Sequence, residues 1–159
     1  SDVCSSDLVF VLTDEGSHAF DVAYDDLAVS ALRFVAETGG DAAVVEFARR
    51  RAAELKRRFG DIVAEESNLD GRLTVLAGLL SNDGYAATTV GPDDSGPQLC
   101  QHHCPVSHVA AEFPQLCEAE TEAFESLLGT HVLRLATIAH GDGICTTLVP
   151  ALMNRRTSA

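Results

Sequence analysis

Cys100, Cys104, Cys117 and Cys145 are spaced as C-x3-C-x12-C-x27-C. Sulfur drawn from separate stretches of chain suits a soft metal or an iron-sulfur cluster better than a hydrophobic core. A lone free cysteine is commonly just a small buried apolar residue. Four of them in one segment, beside Gln101, His102, His103 and Pro105, point instead to ligation. Disulfides belong to oxidising compartments, and the sequence shows neither a secretory h-region nor an apolar run of membrane-spanning length. A cytoplasmic location is therefore expected, where such thiols bind metal or carry redox chemistry.

Two inorganic centres fit the spacing. Zinc accepts a close C-x3-C pair, and His102, His103 or His108 could complete a tetrahedron. Against zinc, there is no second close Cys/His pair, and the other two thiols come singly from distant points. Clusters tolerate long spacings and a non-cysteine fourth ligand, so the pattern favours a cluster and leaves zinc open. No C-x-x-C and no Ser/His/Asp motif stands out, so neither an enzyme nor a small-molecule substrate is expected.

The elements that position these thiols are legible in outline. Phe20, Tyr24, Leu27, Ala31 and Phe34 recur every three or four residues, which predicts a helix ending near Gly39-Gly40. A second helix is expected from Asp41, a candidate N-cap, with the stripe Val45, Ala48, Ala52, Leu55, Phe59 and Ile62. Such a seam serves a partner helix in a homodimer or packs back on the first helix. A helix over 73–80, a turn at Asn82-Asp83-Gly84, a strand over 85–90 and a loop over 91–97 follow.

Pro105 suits the first position of a helix, which would make Cys104 its N-cap and lower the thiol pKa through the helix dipole. Pro114 ends that helix, and Cys117 precedes another over 118–128, closed by Gly129. Strands are expected over 131–139 and 144–149 across the hairpin Gly141-Asp142-Gly143. The resulting fold class is α+β, with about three antiparallel strands, helices against them and the cysteines gathered at one end.

Composition sets bounds on partners. The 159 residues are 46% hydrophobic and 22% charged, enough for one core, and the net charge is -13. That charge argues against nucleic-acid binding by this fragment alone, since phosphate contacts need a basic face. Arg49, Arg50, Arg51, Lys56, Arg57 and Arg58 supply six of the eleven basic residues. A solvated helix face paired with Glu46 and Glu54 is favoured over contact with DNA phosphates.

Residues 1–8, which include Cys4, Asp2 and Asp7, resemble the in-frame translation of a sequencing adapter and are set apart from the fold. The segment from Val9 to Gly16 reads as a strand handing over to a helix, with Thr13 or Asp14 as the N-cap. It resembles the last wing strand and following helix of winged helix-turn-helix repressors. Further along, LCQHHCPVSHVAAEFPQLCEAE from Leu99 to Glu120, with GDGICTT from Gly141 to Thr147, looks like the actinobacterial SufR family.

These are iron-sulfur-sensing repressors of the operon for the Suf cluster-assembly machinery, and the resemblance runs from Val9 to about Pro150. It implies a dimer, an N-terminal winged helix-turn-helix, and a cluster, usually 4Fe-4S, in the C-terminal domain. By that resemblance Cys104, Cys117 and Cys145 are ligands. Cys100 is a fourth candidate beside a histidine, a carboxylate or a group from a second protomer. The expected organisation is an adapter remnant (1–8), the end of a winged-helix domain cut upstream (9–20), a helical linker and dimerisation segment (21–66), a cysteine-bearing sensor domain (67–152) and a flexible tail (153–159). Operator DNA is then a partner of the full-length protein and not of this fragment, and no membrane partner is expected. The alternative is a zinc-binding ArsR-like metalloregulator or a structural-zinc dimerisation module.

Overall fold

The computed structural model describes residues 14–151, with side chains from residue 21 onward. The expected wing strand, residues 1–8 and the tail 153–159 lie outside the described residues. A stretch rich in alanine, glutamate, leucine and arginine, all good helix formers, builds α1 (Asp14–Ala64). The expected break is present at Gly40, whose φ of 72° and ψ of -175° suit glycine alone. Helical bonding resumes at once, so the two predicted helices join end to end. Asp41 is not used as an expected cap there; its carboxylate accepts a hydrogen bond from Gln115 Nε2 at 2.6 Å.

α2 (Leu69–Asn82) starts where Asn68 Oδ1 accepts from Gly71 N at 2.8 Å, one of the orphan N-H groups of a helix start. The chain then forms β1 (Ala87–Asp93), β2 (Gly96–Gln101), α3 (Ser107–Glu112), α4 (Gln115–Leu128), β3 (Leu133–Ala136), a short 3-10 helix (Ile138–His140) and β4 (Cys145–Leu148). The four strands pair antiparallel in the order β1-β2-β4-β3. The fold is α+β.

The sheet has one strand more than the pattern predicted. Residues 91–97, expected as a loop, are mostly strand, because Asp93 Oδ1 accepts from Ser95 N at 2.7 Å and Gly96 turns the chain at φ 119°. A Cβ at Gly96 would stand 2.1 Å from the Val149 carbonyl oxygen. Glycine lets the end of β4 lie against this turn, where Val149 N donates to Pro97 O at 2.9 Å. The strand expected over 131–139 is shorter. Asp142 Oδ2 accepts from Thr137 N at 3.0 Å, which curls the chain into the 3-10 helix.

The core has two parts. One lies between the inner sheet face, α2 and the C-terminal half of α1, and centres on Leu76, Leu80, Leu99, Phe124, Val63 and Val149. The other surrounds the Gly40 break, where Val29, Leu32, Val44 and Ala48 meet Val109, Phe113 and Leu116. Side chains of that size are worth about 1.5–3 kcal/mol each when fully buried. Of the first predicted stripe, Tyr24, Leu27 and Phe34 are 70%, 66% and 65% exposed. The face that packs inward there is the neighbouring one, carried by Val29 and Leu32. The second stripe is divided, with Ala48 and Phe59 buried and Ile62 exposed.

Candidate metal centre

Three short pieces of chain converge below the second half of α1. Cys104 lies in the turn between β2 and α3, Cys117 in the first turn of α4, and Cys145 at the start of β4. Cys104 and Cys117 both line a cavity of about 600 Å³, together with Glu120, Tyr85, Arg51 and Leu55. Cys145 is close enough to raise the pKa of both other thiols. Its Sγ accepts a hydrogen bond from Ile138 N at 3.2 Å.

Burial pushes the Cys104 thiol up to about 12, with a backbone hydrogen bond from Val106 pulling the other way and Glu120, Cys145 and Cys117 adding upward contributions. The expectation of a lowered pKa is thereby corrected. Pro105 does not open the helix; α3 begins only at Ser107 with Val106 as its cap, so Cys104 is buried ahead of it, and desolvation outweighs what a helix start offers. Cys117 is pushed up to about 11, by burial first, then by Glu120, with Arg134 opposing. Burial thus favours the protonated form of both thiols.

Cys100 stands apart from this set. In β2 it pairs with Thr146 and Thr88, whereas the next residue, Gln101, pairs directly with Cys145. Side chains alternate along a strand, so Gln101 shares the inner face with Cys145 and Cys100 points to the outer one. Its thiol pKa is raised by burial alone, with no contribution from the other cysteines or from Glu120. His102 and His103 are exposed, and His102 Nε2 is 2.9 Å from Thr88 Oγ1. His108 is exposed as well.

The residue that sequence reasoning missed is Glu120, one helical turn beyond Cys117 on α4. Its side chain is 14% exposed; Oε1 accepts from Gln101 Nε2 at 3.1 Å and lies 3.4 Å from Arg134 Nη2. Cysteine and glutamate at i and i+3 of one helix share a face, and that was the available signal. Arg134, 12% exposed, projects from β3 onto the same inner face and lies over the Phe124 ring, 5.5 Å from its centroid.

Among the described residues, no group of three or more His, Cys, Asp or Glu side chains stands at ligating distances. The donors are neighbours whose side chains must still turn inward to close on a metal. Their chemistry fits a soft, positively charged centre, because three thiols and a buried carboxylate offer only anionic or soft ligands. Two buried donors also lack acceptors here, Arg134 Nε and Thr147 Oγ1, and these residues pair across β3 and β4. A buried group left so costs about 1–3 kcal/mol. Sulfur acceptors arriving beside them would relieve it.

Three of the six basic residues on the helix face are paired. Arg50 Nε bonds Glu46 at 2.8 Å, Arg57 bonds Glu54, and Arg58 grips Asp83 through two bonds of 2.9 and 2.8 Å. Such contacts at the surface are worth little individually.

No protein-family model and no curated protein matches the chain. Among solved structures it is similar to the crystal structure of the phenol-responsive sensory domain of the transcription activator PoxR with phenol, at 15% identity and a TM-score of 0.55. The match covers 89% of this chain and 76% of that one. At that identity the likeness is one of fold alone. No helix of the described residues is long and apolar enough to cross a membrane.

Proposed function

We propose that this chain is the sensor and dimerisation part of an iron-sulfur-responsive transcriptional repressor of the Suf operon, non-catalytic and cytoplasmic. Cys104, Cys117 and Cys145 would hold the cluster, 4Fe-4S in the form the cysteine block favours, and Glu120 would supply the fourth contact. The observation that carries this reading is the placing of Cys104, Cys117 and Glu120 at the wall of one open cavity, with Cys145 near enough to act on both thiols. The shared fold with a regulator's sensory domain supports the regulatory class. The named operon rests on the resemblance of the cysteine block.

The cluster would supply a centre whose presence depends on iron, oxidants and reducing supply. The chain's own part is to tie the turn at Cys104, the helix start at Cys117 and the strand start at Cys145 together, coupling occupancy to local folding. That change reaches α1 directly. Arg33 Nε and Nη2 bond the Glu112 carboxylate at 2.6 and 2.8 Å, and Gln115 bonds Asp41 on the other side of Gly40. The segment between Cys104 and Cys117 therefore grips the helix on both sides of its break. The exposed Tyr24, Leu27 and Phe34 would be covered by a second copy in a homodimer, with operator DNA bound by a winged helix joined to α1.

Anaerobic loading with iron and sulfide tests the reading. A brown protein with near-equal iron and sulfide supports it, and a colourless protein carrying zinc alone replaces the cluster with the metalloregulator alternative. A second reading, an organic-effector pocket, is favoured by the cavity's volume, which falls in the range of small-molecule sites. Calorimetric binding of phenol to the metal-free protein, undiminished in Cys104→Ser, would support that reading instead.

A further inference from the structure

We infer that Arg134 is the counter-cation of this ligand set, the residue that balances the charge of the filled centre and thereby sets its metal affinity and reduction potential. The inference rests on the reading above for the ligands, but not on which metal they hold. Arg134 reaches the site from β3, behind the ligands, with its guanidinium held by two acceptors: Nη1 is 3.5 Å from Gln101 Oε1 and Nη2 is 3.4 Å from Glu120 Oε1. Its third nitrogen, Nε, is buried without a partner. Gln101, 1% exposed, bonds Glu120 with its other end. The three side chains form one closed relay behind Cys117 and opposite Cys145.

Behind the ligands, the Arg134 guanidinium faces one carboxylate, that of Glu120, at 3.4 Å. Filling the site changes that balance. A 4Fe-4S core or a zinc ion held by three thiolates and one carboxylate retains about two net negative charges. A buried excess of that kind is unfavourable unless a cation lies close. Arg134 is positioned to meet it. It is fixed in place by Gln101 and by the Phe124 ring and has an unused donor for a ligand sulfur. Hydrogen bonds and charge around the sulfurs are what tune cluster potentials. Thr147, across from Arg134 on β4, adds a second unpaired donor on the same face.

The test compares wild type with Arg134→Gln, Arg134→Met and Arg134→Lys, each loaded anaerobically with iron and sulfide and, in a parallel arm, with zinc against a chromophoric chelator. The expected result is a midpoint potential lower in both neutral variants by about tenfold in the reduced-to-oxidised ratio, about 59 mV for a one-electron couple. Zinc affinity falls about tenfold in the same variants, and Lys restores both to within about threefold. Neutral variants that fold, load and keep both quantities within twofold of wild type overturn the inference while leaving the cluster reading intact. So does failure of both neutral variants to fold without metal, which assigns Arg134 to the fold alone. Zinc binding that depends on Arg134 with no uptake of iron and sulfide rejects the cluster and keeps the inference. A wild type that binds neither metal ends both.

Discussion

The two faces of the sheet treat the same chemistry in opposite ways. On the inner face Cys145, Gln101, Thr147 and Arg134 meet Cys117 and Glu120 of α4, and polar groups there wait for partners. On the outer face, one residue out of step, Cys100 lies between two threonines and is influenced by burial alone. Both thiols are buried, both are free, and they sit on adjacent strands. What separates them is the period-two alternation of a strand, which makes neighbours in sequence strangers in space. The face a cysteine occupies here decides which groups surround it.

Ligand removal gives the largest expected contrast. Cys117→Ser or Cys145→Ser is expected to leave less than about a tenth of the wild-type iron and sulfide after anaerobic loading, since each takes one thiolate from the set. Cys100→Ser keeps its full content. Equal loss in all three variants, measured by metal analysis and visible absorbance, would erase the distinction between the faces.

Next is Glu120→Gln, which preserves shape and removes charge. Metal affinity is expected to fall at least tenfold, as for loss of a ligand or its close support. The metal-free protein is expected to lose about 1–3 kcal/mol in urea unfolding, because Arg134 is left buried without its carboxylate. The same substitution at an exposed neighbour on α4, Glu122→Gln, serves as the control, with stability held within about 0.5 kcal/mol.

The pH dependence of the metal-free fold is a smaller effect. Cys104 and Cys117 hold their protons more tightly in the folded protein, at about 12 and about 11, than in the unfolded chain, at about 8.5. Their contribution is complete below pH of about 8.5 and is lost as pH rises toward the folded values. Tyr85, pushed up to about 12 mainly by burial, adds to the same fall. The urea midpoint is expected to decline between pH of about 8.5 and about 11, and Cys104→Ser with Cys117→Ser to flatten that decline.

The smallest effect on stability belongs to α1. Leu27→Glu with Phe34→Glu should change the monomer's stability by no more than about 0.5 kcal/mol, because both side chains already face water. Light scattering is expected to show a wild-type dimer and a variant monomer. Identical masses would remove the second copy from the proposal.

Much of the local structure is legible in residue types. The glycine break at Gly40, the stop at Gly129 and the turn at Gly141 each stand where a positive φ is required, and glycine is the residue that adopts it without strain. The starts of α2 and α4 are less so: the helices begin at Leu69, after its cap Asn68, and at Gln115, after Pro114, ahead of the expected 73 and 118, so that Cys117 lies inside α4 and does not precede it. β2 is hidden because its glycine and proline usually mark loops, whereas here Gly96 is required by the approach of Val149. The inward face of α1 is obscured for a related reason. An apolar stripe can serve the molecule's own core or a neighbour, and Tyr24, Leu27 and Phe34 lie on the side the core does not reach.

The residue types alone determined that this chain carries four soft sulfur donors in one region, that they are spread across separate elements, and that those elements make an α+β domain. Only the tertiary structure decided which donors meet. Register between β2 and β4 set Gln101 rather than Cys100 opposite Cys145, and the packing of α4 brought Glu120 to Arg134 across fourteen residues of chain. Local propensity acts over a few residues, while a binding site is assembled from groups distant in sequence, and their juxtaposition exists only once the core has closed around them.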